Sequence, residues 1–282
     1  GFRPRVFALA GARLVISPDR EIPDGTLVVR DGLIVAAGSD VDIPRDAVTI
    51  DAAGLVIYPG FIDADAGDLL AATVSLPASP GRQVNFSRYV LAATRPDNRK
   101  GLTPQFVVRT ALALDASRLA SIRRSGFTAV HVVPTGRIAS GIAGLVTTGG
   151  GPPRESLLAG ETTASMALMV PGGTGYPRTL MGATVHLRQA MLDARWHARH
   201  RRLYRDASGG VPPPPVDPVL VALDDVLDNR RRPLFRADTR DDIHRALDFC
   251  DEHGLKPILC GGAEAHRCLD RLVAAGVPLL MS

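Results

Sequence analysis

From Val6 to Asp63 apolar residues come in short runs broken by Gly, Pro and Asp, which predicts strands at Val6 to Ile16, Thr26 to Arg30, Leu33 to Ala37 and Val48 to Ile57. Asp31-Gly32, set between two of these runs, predicts a tight hairpin because both residues tolerate positive φ. Residues 1–59 therefore read as a small β domain. After Gly60 the period changes, most clearly over the last fifty residues. Pro233 to Arg236 reads as a strand; Thr239, with Asp242 three residues on, caps a helix that buries Ile243, Ala246, Leu247 and Cys250 and ends at Gly254. Pro257 to Cys260 is the next strand. A helix from Ala263 to Ala275, burying Ala265, Cys268, Leu269 and Leu272, stops at Gly276 before a strand from Val277 to Met281. This β-α-β-α-β order implies a parallel sheet. Ser117 to Arg124, Gly126 and Thr128 to Val133 repeat the same grammar, so residues 60–282 are expected to form a (β/α) barrel.

The middle is less regular, with a long helix expected from Met181 to Tyr204 between loops at Gly149 to Pro153, Gly172 to Gly175 and Pro212 to Pro215. Neither glycine cluster is followed by the lysine that a phosphate-cradling loop needs, so both are read as barrel loops.

Composition narrows the function classes. The 282 residues, 45% hydrophobic, suit one large and one small domain. No apolar run approaches the ~18 residues of a membrane span. The net charge of +4 comes from arginines at 195–205 and 230–232, which only Trp196 and Tyr204 accompany. A solvated helix face accounts for them better than a nucleic-acid groove, which needs interleaved stacking aromatics. Cys250, Cys260 and Cys268 have apolar neighbours and no metal-site spacing, as core residues in a reducing compartment do. A cytoplasmic location is expected, with export after signal removal as the alternative, since the chain opens on Gly1-Phe2-Arg3.

Three constellations carry candidate chemistry. Asp193, His197 and His200 stand at i, i+4 and i+7 on the long helix, with His186 two turns earlier; the spacing suits a metal, and equally a polar face among cationic neighbours. Asp63 and Asp65, two apart on a strand, would share a face, where two carboxylates raise one pKa or bind a cation; the alternative is that Asp63 braces the strand end. His131 alternates with Val130 and Val132 and reads as a barrel-lining histidine or a base. Asp238, Asp241 and Asp242 suit a helix start for dipole reasons alone. No Ser-His-Asp or Cys-His arrangement is readable.

Asp51-Ala52-Ala53-Gly54, four residues, then Pro59-Gly60-Phe61-Ile62-Asp63 is similar to the signature by which the amidohydrolase superfamily passes from a β-sandwich into its first barrel strand. Gly254 to Pro257, Gly262 to Ala265 and Gly276 to Pro278 resemble late barrel units of the imidazolonepropionase-like branch, and Tyr176 to Gly182 and Arg188 to Ala194 resemble strings of amidohydrolase-related bacterial proteins. The resemblance implies an α/β fold, a small β-sandwich plus a (β/α) TIM-type barrel, with hydrolysis of non-peptide carbon–nitrogen bonds as the ancestral reaction.

The family's metal positions depart from the pattern. Where the resemblance implies His-x-His, the chain has Asp65 and Gly67; where it implies two later histidines, the chain has Arg236 and Gly261. The family's metal lowers the pKa of bound water from ~15.7 towards ~7. An arginine ~4 Å from a divalent ion would repel it by about 8 kcal/mol at an effective dielectric near 20. A degenerate centre is therefore expected, with Zn only if ligands are relocated. Asp63 and Asp65 remain as catalytic candidates and His131 and Arg236 as binding candidates. The chain ends before the last barrel units, so an incomplete barrel is expected, with a homo-oligomeric partner or a C-terminal half to cover it. The substrate or ligand would be a small molecule.

Overall fold

A computed structural model describes residues 4–66, 99–112, 114–171, 176–207 and 210–281. The chain divides into two compact units, Gly1–Phe61 and Ile62–Ser282.

The first unit is a sheet of β1 (Val6–Ser17), β2 (Arg20–Arg30), β3 (Leu33–Gly38) and β4 (Val48–Asp51), ordered β3-β2-β1-β4, with β5 (Val56–Ile57) also on β1. β1 and β2 run antiparallel with Ala8 opposite Val28, and β4 runs parallel to β1 with Phe7 opposite Val48. The β2–β3 turn is made by Asp31 and Gly32 at φ 50° and 82°, the conformation that recommended this pair for a tight hairpin. One side of the sheet buries Val6, Ala8 and Val28, and further along Ala12, Leu14 and Ala52. The run expected as one strand from Val48 to Ile57 is two strands. A turn separates them, in which the Leu55 amide bonds the Ala52 carbonyl and Gly54 sits at φ 79°.

In the second unit, β6 (Phe61–Asp63), β7 (Phe127–Val132), β9 (Gly144–Thr147) and β10 (Leu157–Ala159) form one sheet, ordered β10-β9-β7-β6. β8 (Ala139–Ile142), β11 (Ala164–Ala167), β12 (Pro233–Ala237), β13 (Ile258–Gly261) and β14 (Leu279–Met281) form another, ordered β14-β13-β12-β11-β8. From β11 to β14 the pairing is parallel, as the alternating pattern predicts; β8 joins antiparallel to β11. Among the described residues both sheets are open and no closed barrel is present.

The helices are α1 (Ala116–Arg124), α2 (Pro153–Ser156), α3 (Leu180–Asp206), α4 (Pro218–Leu227), α5 (Arg240–His253) and α6 (Leu269–Ala275). None among the described residues is long and apolar enough to cross a membrane. α5 carries the capping box read from Thr239 and Asp242 and ends on Gly254 in the left-handed region. α3 is capped by the Thr179 hydroxyl and buries Ala183, Leu187, Ala190, Met191, Ala194 and Ala198 along one stripe. That stripe packs with Leu223, Phe235, Ile243, Leu247 and Leu259 into the main core. The helix expected from Ala263 begins only at Leu269, after a 3₁₀ turn at Ala265–Arg267, because Cys268 leaves helical geometry at φ −143°.

Burial holds two imidazoles in the neutral form. His186, 1% exposed, has its pKa pushed down to about 4, chiefly by burial, and that of His253 is lowered for the same reason. Between pH 6.5 and 4 the unfolded chain therefore binds more protons than the folded one, so stability falls as pH falls through this window. His186 alone contributes about 3 kcal/mol, fully present above pH 6.5 and lost by pH 4. Urea titrations at pH 7, 6 and 5 are expected to show falling stability, with a shallower fall in His186→Phe. A flat profile in the parent protein would rule out the burial of a neutral imidazole here.

Candidate functional site

The candidate site lies at the C-terminal ends of the parallel strands, where side chains project from the edge of the backbone ladder. Arg236 on β12 pairs in register with Cys260 on β13, so the two side chains stand side by side on one face. Asp65 enters from the segment after β6. Its carboxylate takes both arms of the guanidinium, Nη2 to Oδ1 at 2.7 Å and Nη1 to Oδ2 at 2.9 Å, and the Cys260 thiol donates to Oδ2 at 3.1 Å.

These contacts set the protonation states. Burial works to raise the Asp65 pKa, but the hydrogen bonds from Arg236 and Cys260 and the Arg236 charge outweigh it and hold the carboxyl below the ordinary range. Arg236 is held more firmly protonated by the same bond. Burial and the neighbouring carboxylate push Cys260 up to about 12, so it is a thiol donor and no nucleophile at neutral pH.

His131 is on β7, half-buried. Its Nδ1 lies 2.9 Å from the Ala64 carbonyl, which only accepts, so Nδ1 carries the hydrogen; Nε2 then accepts from the Thr162 hydroxyl at 2.7 Å. Both ring nitrogens are occupied. Asp63 is not beside Asp65 as a second carboxylate on one strand face, because β6 ends at Asp63 and the two-residue alternation stops there. Its Oδ1 instead accepts from the Asp65 amide at 3.1 Å, bracing the turn out of the strand.

At Gly261, φ is 106° and a Cβ would overlap the Asp238 carboxylate, so Asp238 fills the space where a longer side chain would stand. Gly67 lies outside the described residues, as do Gly172 to Gly175. The α3 trio is divided among separate partners: Asp193 accepts from Gln189 at 2.8 Å, His197 Nε2 bonds the Pro215 carbonyl at 2.9 Å, and His200 Nε2 the Pro212 carbonyl at 3.0 Å. Among the described residues, no group of three or more His, Cys, Asp or Glu is placed to hold a metal ion.

Sequence reasoning placed Asp65 and Arg236 at one site without pairing them, and it took Cys260 for a plain core residue. The signal for Cys260 was its place at the end of its strand, one strand over from Arg236; the register that makes them neighbours is a tertiary fact. Thr162, which holds the His131 ring, carried no signal.

The ion pair sets a test of its own. Each charge is substantially buried and satisfied chiefly by the other, so removing one partner should cost more than removing both. In urea unfolding at pH 7, Asp65→Asn and Arg236→Met are each expected to lose about 2 kcal/mol, with a favourable coupling of about 1–2 kcal/mol in the double variant. Additive losses would show that the two side chains do not depend on each other.

No family model matches the chain. Over 56 residues it is 46% identical to an imidazolonepropionase of Solibacter usitatus, a stretch that makes up 18% of this chain and 13% of that enzyme. The fold is similar to that of an amidohydrolase from Thermotoga maritima, with a TM-score of 0.73 at 17% identity over 98% of this chain and 70% of the other. In its mixed α/β fold the chain is therefore similar to that amidohydrolase, and a short stretch of it is similar to an imidazolonepropionase.

Proposed function

We propose that this chain is an amidohydrolase-like protein with a degenerate metal centre, in which an internal ion pair takes the metal's place, and that it acts as a binding module or subunit and does not hydrolyse carbon–nitrogen bonds by the metal-dependent route. The observation that carries this reading is the two-point bond of Arg236 on Asp65. A carboxylate ligand must offer oxygen lone pairs to the ion, and those of Asp65 are directed at a guanidinium and a thiol. Arg236 brings a positive charge to the position where the family resemblance implies an imidazole, and Gly261 brings no donor. These residues do not fit a divalent ion at the family's position.

The remaining candidates support the same reading. An active hydrolase working through the carboxylates alone would need one of them protonated or free to accept a proton. Asp65 is held ionised, and Asp63 is bent onto a backbone amide. His131 would have to give up the Thr162 hydroxyl to serve as a base. In this reading the small unit is a β-sandwich and the large one a partial (β/α) barrel, covered by a second copy or by further chain. The exposed Leu269, Val273 and Met281 beside the β14 edge are consistent with such a cover. The ligand is a small molecule, no cofactor is required, and the compartment is the cytoplasm.

Metal analysis tests the proposal. After dialysis against metal-free buffer, plasma mass spectrometry of the purified protein is expected to find well under one equivalent of Zn, Mn or Fe, with thermal stability unchanged by chelator. About one tightly held equivalent would overturn the reading in favour of a hydrolase with relocated ligands.

A further inference from the structure

α3 is apolar on two opposite sides. At about 100° per residue, the buried stripe from Ala183 to Ala198 takes one side of the helix. Met181, Val185, Leu192, Trp196 and Leu203 follow one another at intervals of 4, 7, 4 and 7 residues, which brings them within about 60° of each other on the far side. There they are 47–79% exposed. A surface helix ordinarily turns polar residues outward, and a helix apolar on both sides needs a partner on both. Single exposed leucines need no explanation, but large side chains aligned over ~33 Å of helix form a patch.

Arginines interrupt and flank this stripe. Arg188 holds Glu252 through Nε at 2.8 Å and Nη2 at 2.7 Å, and Arg195 donates to the His253 carbonyl, so both are engaged within the fold. Arg199, on the stripe itself, is exposed and has no ion-pair partner among the described residues. Trp196 sets an edge on His200, whose ring is fixed in turn to the Pro212 carbonyl. The indole is thereby held in place with its remaining surface in solvent, and it loses little freedom on docking.

We propose that α3 packs antiparallel against α3 of a second copy of this chain, about a two-fold axis at Leu192. Reversed about Leu192, the stripe matches itself: Met181 meets Leu203 of the second copy, Trp196 meets its Arg188, and Val185 meets its Arg199. A guanidinium on an indole is a favourable cation–π contact. Arg199 lays its apolar stem on Val185 and carries its charge toward Glu252, which is held by Arg188 one turn along. A parallel pairing would instead set Arg188 on Arg188 and Arg199 on Arg199. The antiparallel one also opposes the helix dipoles and closes at two copies. A footprint of ~33 Å by ~10 Å on each copy, widened by the flanking arginines, buries roughly 1,000 Å² in total, the lower end for a specific interface, so the dimer is reversible. An anionic membrane is the poorer fit, because it would need arginines that are already engaged. The face is independent of the state of the Asp65–Arg236 pair.

Sedimentation of the whole protein from about 1 to 200 µM is expected to show a reversible monomer–dimer equilibrium with a Kd of about 1–100 µM. Trp196 is the chain's only tryptophan, so its emission should shift to the blue over the same range. Leu192→Arg, at an exposed position where two like charges would meet on the axis, should weaken the dimer at least about tenfold and leave the circular dichroism unchanged. Alignment is read by cross-linking, since Cys250, Cys260 and Cys268 are buried. With a short bismaleimide, Met181→Cys mixed with Leu203→Cys should cross-link, and neither variant should do so alone. A monomer throughout the range would overturn the proposal, as would a dimer that Leu192→Arg leaves unchanged. So would a blue shift that follows added phosphatidylserine vesicles and not protein concentration.

Discussion

The bond between Asp65 and Arg236 joins positions 171 residues apart, and the rest of the candidate site is arranged around it. A carboxylate and a guanidinium taken largely out of water are each expensive alone, and each is repaid chiefly by the other through two short, charge-assisted contacts. The segment after β6 must therefore lie where β12 presents its arginine. Backbone bonds reinforce that placement: the Ala66 amide donates to the His131 carbonyl, and the His131 ring donates to the Ala64 carbonyl. The exit from β6 is thus held from β7 and β12 together, which is why so short a strand, three residues, keeps a defined continuation.

The same bond decides the chemistry of its neighbours. Burial first, and then the bond to the ionised Asp65, raise the pKa of the Cys260 thiol, so the cysteine donates a hydrogen and stays out of the nucleophilic form. Cys260 in turn spends its hydrogen on Asp65, and Asp63 its carboxylate on the Asp65 amide. His131 has a partner on each nitrogen. The cluster has the residue types of a reactive centre, but its donors and acceptors are matched to one another, which favours a fixed structure over proton transfer.

How much of this was legible depended on the range of the interaction. The Thr239–Asp242 capping box, the Gly254 and Gly276 helix ends and the Asp31-Gly32 turn are set within a few residues, and each appeared where the pattern put it. The parallel order of β12, β13 and β14 followed from the alternation of strand and helix. The antiparallel β8 and β9 between Ala139 and Thr147 were not visible, since their glycine-rich, four-residue runs carry no period. Asp65 and Arg236 were marked by departure from a family pattern. That one neutralises the other depends on where two distant strands end, and no local rule contains it. The helix at Ala263 was overextended because its apolar spacing continues through Cys268 while the backbone does not.

Hydrogen-bonding capacity left unmet inside the fold is a cost that packing must outweigh. The buried rings of His186 and His253 have ring nitrogens without a side-chain partner, and they stack edge-on against Tyr176 and Phe249 inside packed structure. Their unmet polarity is a cost of folding and appears as acid sensitivity. An orphaned nitrogen alone says only that the fold carries a penalty.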